Sequence, residues 1–270
     1  MPEQPLLEVK GLSKSFGGIR AVDDLNLSVQ DGEFIGLIGP NGAGKTTVFN
    51  LLSGTIKPTA GHIAVGGERL EGQGAEEFAA RGVARTFQNI RLFKHLTVFE
   101  NVLAGMHGTS DRQLWRNLVQ GRLFRTQEER LRERAAELLE TFGLSRHADE
   151  LSVHLSYGDQ RRLEIVRALA TFPKLLLLDE PAAGMNPAEG RQLVELLGQI
   201  KRTQKLTFVL IEHDMEVVME LCDRIRVLDY GKSLFEGTPE EVRRSPAVRE
   251  AYLGGEEDEY AQLGAAYGGL

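Results

Sequence analysis

The residues best suited to chemistry form one short stretch, GPNGAGKTT. It fits the phosphate-loop pattern G-x-x-x-x-G-K-[ST], in which backbone N–H groups at a helix N-terminus surround phosphate oxygens. Glycines allow the tight turn because they lack a Cβ atom, and the lysine supplies a cation for the β- and γ-phosphates. The stretch predicts a nucleoside triphosphate site formed by Gly39, Pro40, Asn41, Gly42, Ala43, Gly44, Lys45, Thr46 and Thr47.

A second set of chemical residues follows two apolar runs. Asp179 and Glu180 come after the run at 174–178, and His213 comes soon after the run at 208–211. Such runs are typical of parallel strands buried on both faces, and ligands bind at the carboxyl edge of a parallel sheet. We expect Glu180 to orient or deprotonate a water and His213 to sense the γ-phosphate. The alternatives are a solvated carboxylate turn and a structural histidine.

A magnesium site is expected between these two sets. Mg²⁺ prefers hard oxygen ligands and usually keeps several from water and from the nucleotide. The hydroxyl of Thr46 and the carboxylate of Asp179 are therefore the predicted metal ligands from the two motifs.

The elements needed to position these residues can be read from the pattern around them. Residues 6–10 and 19–29 are predicted strands joined through residues 14–18, which gives a β-rich N-terminal part. The apolar run at 34–38 predicts the strand before the phosphate loop. Residues 97–107 and 111–142 have helical spacing without a strand signal. The inner stripe of the second segment is predicted to contain Leu131, Ala135, Leu138, Leu139 and Phe142.

Composition limits the function classes. The 270-residue chain has a net charge of −7, so its overall field does not attract nucleic acid, and we expect no nucleic-acid partner. The single cysteine, Cys222, cannot form an internal disulfide and is expected to be a small buried residue in a reducing compartment. We find neither a membrane-spanning stretch nor a secretion signal, so any membrane role is expected to come through a partner.

With six ordered motifs, residues 6–253 resemble the ATP-binding subunits of ABC transporters. Besides the phosphate loop and His213, the motifs are the TFQN sequence around Gln88, the LSYGDQRR sequence at 155–162, the LLDEP sequence at 177–181 and the AAGMNP loop at 182–187.

The resemblance implies roles for residues that the pattern alone does not explain. Phe16, in a glycine-rich turn, is expected to stack on adenine, although a hydrophobic anchor is the alternative. Gln88 is expected to sense the γ-phosphate and Mg²⁺, and Glu180 to be the catalytic base. Ser156 and Gly158 would complete the ATP site of an opposite subunit, so two ATPase subunits, identical or different, would enclose two ATP molecules.

The finer resemblance is to the ATPases of branched-chain amino acid importers. It implies an α/β P-loop NTPase fold with an N-terminal β-subdomain, a parallel-sheet core and a helical subdomain inserted at about 89–166, all within 6–253. Residues 254–270 are expected to form a weakly ordered Gly/acidic tail. The partners implied are membrane permease subunits and a solute-binding protein, which would hold the ATPase at the cytoplasmic face of the cell membrane. Urea or amide importers, a lipopolysaccharide exporter and a soluble ATPase remain alternatives.

The segment at 90–99 directly follows Gln88 and is expected to form part of the groove for a cytoplasmic helix of the permease. Its apolar residues could instead be ordinary subdomain core. Phe93 is the residue expected to be exposed for this contact.

Asp159 departs from the family pattern, which has glutamine at this position. With Ser156 it forms a capping-box signature, S-x-x-D, at a helix start. Two outcomes are open: the carboxylate folds back and stabilises the helix, or it points to the γ-phosphate of the opposite site. We hypothesise the second outcome, in which the repulsion exceeds the contribution of the cap and weakens that ATP site.

Overall fold

The computed structural model describes residues 4–107 and 121–253. Its strands, in chain order, are β1 Leu7–Phe16, β2 Ile19–Val29, β3 Phe34–Ile38, β4 Ala60–Val65, β5 Glu68–Arg69, β6 Val83–Arg85, β7 Leu175–Asp179, β8 Thr207–Ile211, β9 Arg224–Asp229 and β10 Lys232–Gly237. They form an antiparallel sheet of order β2-β1-β4-β5 and a six-stranded sheet of order β10-β9-β3-β8-β7-β6.

The first sheet contains the β-rich N-terminal part that the sequence predicts. One detail of that prediction is wrong: residues 14–16 belong to β1 and not to a connection. Ser15 pairs with Arg20 and Phe16 with Ile19, so the turn consists of two glycines only. The first of them, Gly17, has a φ of 57°, a conformation that glycine adopts without strain.

The second sheet is parallel from β9 to β6, and β10 pairs antiparallel at its edge. Strands β3, β7 and β8 are buried at every residue, as their continuous apolar runs predict. Their side chains alternate between two cores: Leu176 and Leu178 lie in one, and Leu175 and Leu177 in the other. Cys222 is buried in the first core, as expected.

The helices, in chain order, are α1 Lys45–Leu52, α2 Ala75–Ala80, α3 Val98–His107, α4 Gly121–Thr141, α5 Tyr157–Leu169, α6 Pro187–Thr203, α7 Met215–Leu221, α8 Pro239–Arg244 and α9 Pro246–Leu253. Short 3-10 turns occur at Ser145–His147 and Ser152–His154. No helix within 4–107 and 121–253 is long and apolar enough to cross a membrane.

The helical elements between β6 and β7 agree with the α/β fold that the resemblance implies. In α4 the predicted stripe packs inward, since Ala135, Leu138 and Leu139 are buried and Leu131 is partly buried against the same core. The predicted helical residues 111–120 and the tail from 254 lie outside the described residues. The proposed domain boundaries stay predictions.

Candidate functional site

The phosphate loop connects β3 to α1, and its backbone can be made only with glycine at two positions. Gly39 has a φ of 151°, and a Cβ atom there would lie 2.1 Å from the carbonyl oxygen of Leu228. Gly44 has a φ of 97°, and its Cβ atom would lie 2.4 Å from the carbonyl oxygen of Ala21. The loop is therefore fitted closely against its neighbours.

Lys45 and Thr46 open the first turn of α1. The Lys45 side chain is buried over the loop, and its Nζ donates hydrogen bonds to the carbonyl oxygens of Gly39, at 2.5 Å, and Pro40, at 3.0 Å. Thr46 is exposed, as are Asn41 and Gly42. A buried ammonium group beside a helix N-terminus provides an anion site of the predicted kind.

Three of the predicted residues meet around one carboxylate. Glu180 Oε1 lies 2.8 Å from Nε2 of His213, and Glu180 Oε2 accepts a hydrogen bond of 2.9 Å from the Gln88 amide. These residues come from the end of β7, the end of β8 and the loop after β6. The structure thus joins the groups that the sequence separates by up to 125 positions.

The electrostatics keep this carboxylate charged. The hydrogen bond from His213 is the main reason that the pKa of Glu180 lies below its usual value, and burial acts in the opposite direction. The charges of His213 and Lys45 and the bond from Gln88 lower the pKa further. Glu180 is therefore an ionised hydrogen-bond acceptor at neutral pH.

Asp179 has a partner that the sequence analysis did not assign. Its Oδ2 forms a buried ion pair of 2.8 Å with Nη2 of Arg85, at the end of β6. The second terminal nitrogen of Arg85, Nη1, donates to Asn50 Oδ1 at 2.7 Å and to Ser53 Oγ at 3.0 Å, at the end of α1. Arg85 thus connects the predicted metal ligand to the phosphate-loop helix. In the sequence Arg85 stands directly before the TFQN motif, and no spacing signal reveals the pair.

No group of three or more His, Cys, Asp or Glu side chains with metal-binding geometry occurs among the described residues. A site that takes one hydroxyl, one amide and one carboxylate does not need such a group, because Mg²⁺ keeps ligands from water and nucleotide. Thr46, Gln88 and Asp179 carry oxygen atoms of that type, and their role as metal ligands stays a prediction.

Phe16 stands at the end of β1 with half of its surface exposed. The Nζ of Lys14 lies 5.0 Å from the centre of its ring. The ring therefore has no core to fill, which argues against the hydrophobic-anchor alternative and leaves the purine platform as a prediction.

Ser156 and Gly158 lie at the start of α5, and their neighbours belong to the loop after β7 and to the first turn of α6. Tyr157, between them, donates a hydrogen bond of 3.1 Å to the Ala183 carbonyl oxygen. A Cβ atom on Gly158 would lie 2.8 Å from the carboxyl carbon of Glu189. The hydroxyl of Ser156 is bonded within its own helix, so its predicted role toward a second subunit stays a prediction.

The Asp159 carboxylate folds back onto α5. Oδ2 accepts a 2.8 Å hydrogen bond from the Ser156 hydroxyl, and Oδ1 lies 2.8 Å from Nη2 of Arg162. The Ser156 hydroxyl also accepts from the Asp159 N–H, so Ser156 is the predicted N-cap. The side chain is buried and paired with a cation, which favours the capping alternative over repulsion of a phosphate.

The sequence analysis assigned no role to two further ionisable residues of the site, Arg161 and Glu212. Arg161 is completely buried, although next to Arg162 it resembles a solvated face in the sequence. Glu212 is also buried and accepts hydrogen bonds of 2.9 Å from the N–H groups of Ala182 and His213. In the sequence, the only indication that Glu212 belongs to the site is its position directly before His213 at the end of a strand.

Comparison with known proteins gives consistent matches. The family model described as ABC transporter matches residues 22–183, and that described as branched-chain amino acid ATP-binding cassette transporter matches residues 232–258. The chain is 48% identical over 251 residues to the high-affinity branched-chain amino acid transport ATP-binding protein LivG of Escherichia coli (strain K12). The match covers 93% of this chain and 98% of LivG.

A second relative and a solved structure agree with these matches. The high-affinity branched-chain amino acid transport ATP-binding protein BraF of Pseudomonas aeruginosa is 45% identical over 251 residues, covering 93% of this chain and 98% of BraF. The solved ADP conformation of an ATP-binding cassette of an ABC transporter is 30% identical, with a TM-score of 0.79. That similarity covers 93% of this chain and all of the other.

Proposed function

Since the chain belongs to the ABC transporter family, we propose that it is the ATP-hydrolysing subunit of an importer of branched-chain amino acids. The observation that carries the proposal is the cluster of Glu180, His213 and Gln88 at the sheet edge that also holds the phosphate loop. The match at 232–258 and the names of the relatives favour this solute over the urea, amide and lipopolysaccharide alternatives.

Each group of residues at this edge of the sheet has a role in ATP hydrolysis. The phosphate loop and Lys45 bind the phosphates, and the exposed ring of Phe16 supports the adenine. Glu180 orients the attacking water and accepts its proton while the bond from water oxygen to the γ-phosphorus forms and the bond to the leaving ADP oxygen breaks. His213 and Gln88 hold this carboxylate in place, which suits a reaction that depends mostly on positioning.

Mg²⁺ would be held by Thr46, Asp179 and Gln88, and when bound it neutralises charge on the β- and γ-phosphates. Arg85 is paired with Oδ2 of Asp179, so Oδ1 is the oxygen that would bind the metal or one of its waters.

A second ATPase subunit, identical or different, would bring Ser156 and Gly158 to the ATP bound by this chain. Both residues lie at the N-terminus of α5, where backbone N–H groups favour an anion. Pairing of Asp159 with Arg162 removes the charge conflict that the sequence raised for this arrangement.

Permease subunits would bind at the segment 90–99 and so hold the chain at the membrane. The backbone of Phe93 is fixed by the fully buried Asn101, whose amide donates to the Phe93 carbonyl at 3.1 Å and accepts from the Phe93 N–H at 2.9 Å. The Phe93 ring remains half exposed. An exposed aromatic ring on a fixed backbone beside Gln88 suits a contact that responds to ATP.

The activity is tested by Glu180→Gln, with Glu76→Gln as the matched control on the exposed side of α2. The amide preserves shape but cannot accept the proton, so ATP turnover should fall by about 10²–10⁴-fold while ATP binding remains. Glu76→Gln should keep wild-type turnover. If Glu180→Gln hydrolyses ATP at the wild-type rate in the presence of the partners, the assignment is wrong.

The partner contact is tested by Phe93→Asp, with Phe172→Asp as the control because Phe172 is equally exposed. Only the first should reduce copurification with the permease and solute uptake, and both should bind ATP as the wild type does. Normal assembly and uptake with Phe93→Asp would reject the docking segment.

A further inference from the structure

The catalytic carboxylate is attached to a strained piece of backbone. Glu180 has a φ of 48°, in the left-handed region that glutamate rarely adopts. This conformation is strained and persists only where the surroundings hold it. The residue that follows is Pro181, which has no N–H of its own to anchor the turn. Two backbone hydrogen bonds contribute: the Glu180 N–H donates to the Ile211 carbonyl oxygen at 2.9 Å, and the Glu180 carbonyl oxygen accepts from the Ala183 N–H at 3.2 Å. Side-chain donors to the same peptide units can hold the turn further.

Arg161 makes the contacts that can hold it. Its Nη2 donates to the carbonyl oxygens of both Asp179, at 2.9 Å, and Glu180, at 2.5 Å. These two carbonyl groups belong to the peptide units on either side of the Glu180 Cα atom. Because φ and ψ of Glu180 describe the rotation of those units, one guanidinium nitrogen restricts both angles.

The remaining donors of Arg161 are also used. Nε donates to the Pro181 carbonyl oxygen at 3.3 Å, and Nη1 donates to Glu164 Oε2 at 2.9 Å and to the Phe87 carbonyl oxygen. Each of the five N–H donors of the guanidinium therefore has an acceptor. Four of these acceptors are backbone carbonyl groups outside α5, so the residue does more than form an ion pair within its helix.

Glu164 extends the same connection to the loop that carries Gln88. Its Oε1 accepts from the N–H groups of Phe87, at 3.4 Å, and Arg91, at 3.2 Å, on either side of Gln88. Arg161 therefore binds the turn that carries Glu180, and Glu164 binds the loop that carries Gln88.

We propose that Arg161 is a positioning residue for hydrolysis, whose guanidinium holds the Glu180 backbone in its left-handed conformation and, with Glu164, aligns the Gln88 loop to it. The inference rests on the proposed ATPase function. Arg161 does not contact the reacting atoms, so its loss should affect turnover through the placement of Glu180.

The test is ATP turnover by the full chain carrying Arg161→Lys. Lysine keeps the positive charge but lacks the planar fork, so it cannot bond both carbonyl groups around Glu180. We expect kcat to fall at least about tenfold with KM for ATP within about twofold, because a misplaced catalytic group slows the chemical step.

The matched control is Arg224→Lys. Arg224 also donates to a backbone carbonyl and to two carboxylates, but between β2, β9 and β10 and away from the phosphate edge. It should lose stability and keep kcat. Equal losses of kcat in the two variants would mean that Arg161 acts only through general stability and would overturn the proposal.

A third variant decides the matter if Arg161→Lys does not fold. Glu164→Gln keeps the size of the side chain but weakens the hold on Arg161 and on the Gln88 loop, so kcat should again fall with KM unchanged. Wild-type kcat in Glu164→Gln would overturn the proposal. The proposed function fails separately, if Glu180→Gln itself keeps wild-type turnover.

Discussion

Two arginine clusters in this molecule use the same chemical groups in different surroundings. Around the end of β7, Arg161 and Arg85 bond Asp179 and Glu180, the residues that we propose for metal binding and hydrolysis. Between β9, β10 and β2, Arg224 bonds Glu33, Glu236 and the Ser28 carbonyl oxygen. The second cluster joins regular strands, whereas the first holds a strained turn and a buried carboxylate.

Solvent access separates the clusters further. The Arg85 and Asp179 side chains are only 7% and 6% exposed, and that of Arg224 is 27% exposed. A buried charge that loses its partner cannot be solvated, while a partly exposed one can. We infer that the first cluster is costly to alter and specific in its geometry, and that the second is a more tolerant connection.

The largest expected effect that tests this difference is on stability. Arg85→Met leaves the Asp179 carboxylate buried without its cation, so we expect the free energy of unfolding to fall by about 3–5 kcal/mol. Arg224→Met should cost about 1 kcal/mol, because Glu236 keeps its ion pair with Arg226 and Glu33 keeps the hydrogen bond from the Gln30 N–H. Urea denaturation of both variants without nucleotide measures the two losses. Equal losses would remove the distinction between the clusters.

The same contrast explains how much could be predicted from the sequence. The phosphate loop, the buried strands and the polar residues at their ends are local patterns, and the structure confirms the α/β fold they predict. Gln88, Glu180 and His213 could be named because each stands in a local motif.

The arginine and glutamate contacts could not be predicted in the same way. Whether Arg161 faces solvent or the interior depends on the packing of α5 against two loops that are distant in the chain. The charge pattern of the segment gives the same signal for Arg161, which is buried, and for its neighbour Arg162, which is partly exposed. Left-handed backbone at Glu180 is likewise set by its surroundings, since glutamate has no preference for it.

A second prediction concerns Glu212, a carboxylate of the first cluster that is bonded to backbone N–H groups and not to an arginine. Glu212→Gln leaves only one acceptor oxygen for the N–H groups of Ala182 and His213. A protonated carboxyl group keeps an acceptor lone pair on each oxygen, whereas the amide NH2 group has none. At acid pH, where Glu212 is protonated in the native wild type, the unpaired donor should therefore lower the free energy of unfolding of Glu212→Gln by about 1–3 kcal/mol relative to wild type.

The pH dependence gives this prediction its sign. Burial raises the pKa of Glu212 above its usual 4.5, and the nearby charge of Glu180 acts in the same direction. A raised pKa in the folded state favours the protonated group, so its stabilisation is complete below the unfolded value and is lost as pH rises through the folded value. The stability difference between wild type and Glu212→Gln should therefore shrink as the pH rises above the unfolded value of 4.5. A gap that widens with pH would contradict the assigned environment.

The smallest expected effect is at Asp159, at the start of the helix that carries Arg161, where the second subunit is predicted to bind. Its carboxylate caps α5 through Ser156 and is paired with Arg162, so Asp159→Gln should cost about 0.5–1 kcal/mol of stability. The pair has no net charge toward the opposite phosphate, and we expect the ATP concentration for half-maximal hydrolysis to stay the same at low and high salt. If Asp159→Gln instead lowers that concentration at low salt, and the gain disappears as salt screens the charges, then the carboxylate does repel the nucleotide. That result would show that the ion pair between Asp159 and Arg162 opens when two subunits close around ATP. The N-terminus of α5 would then be less rigid than the part of α5 that contacts Glu180.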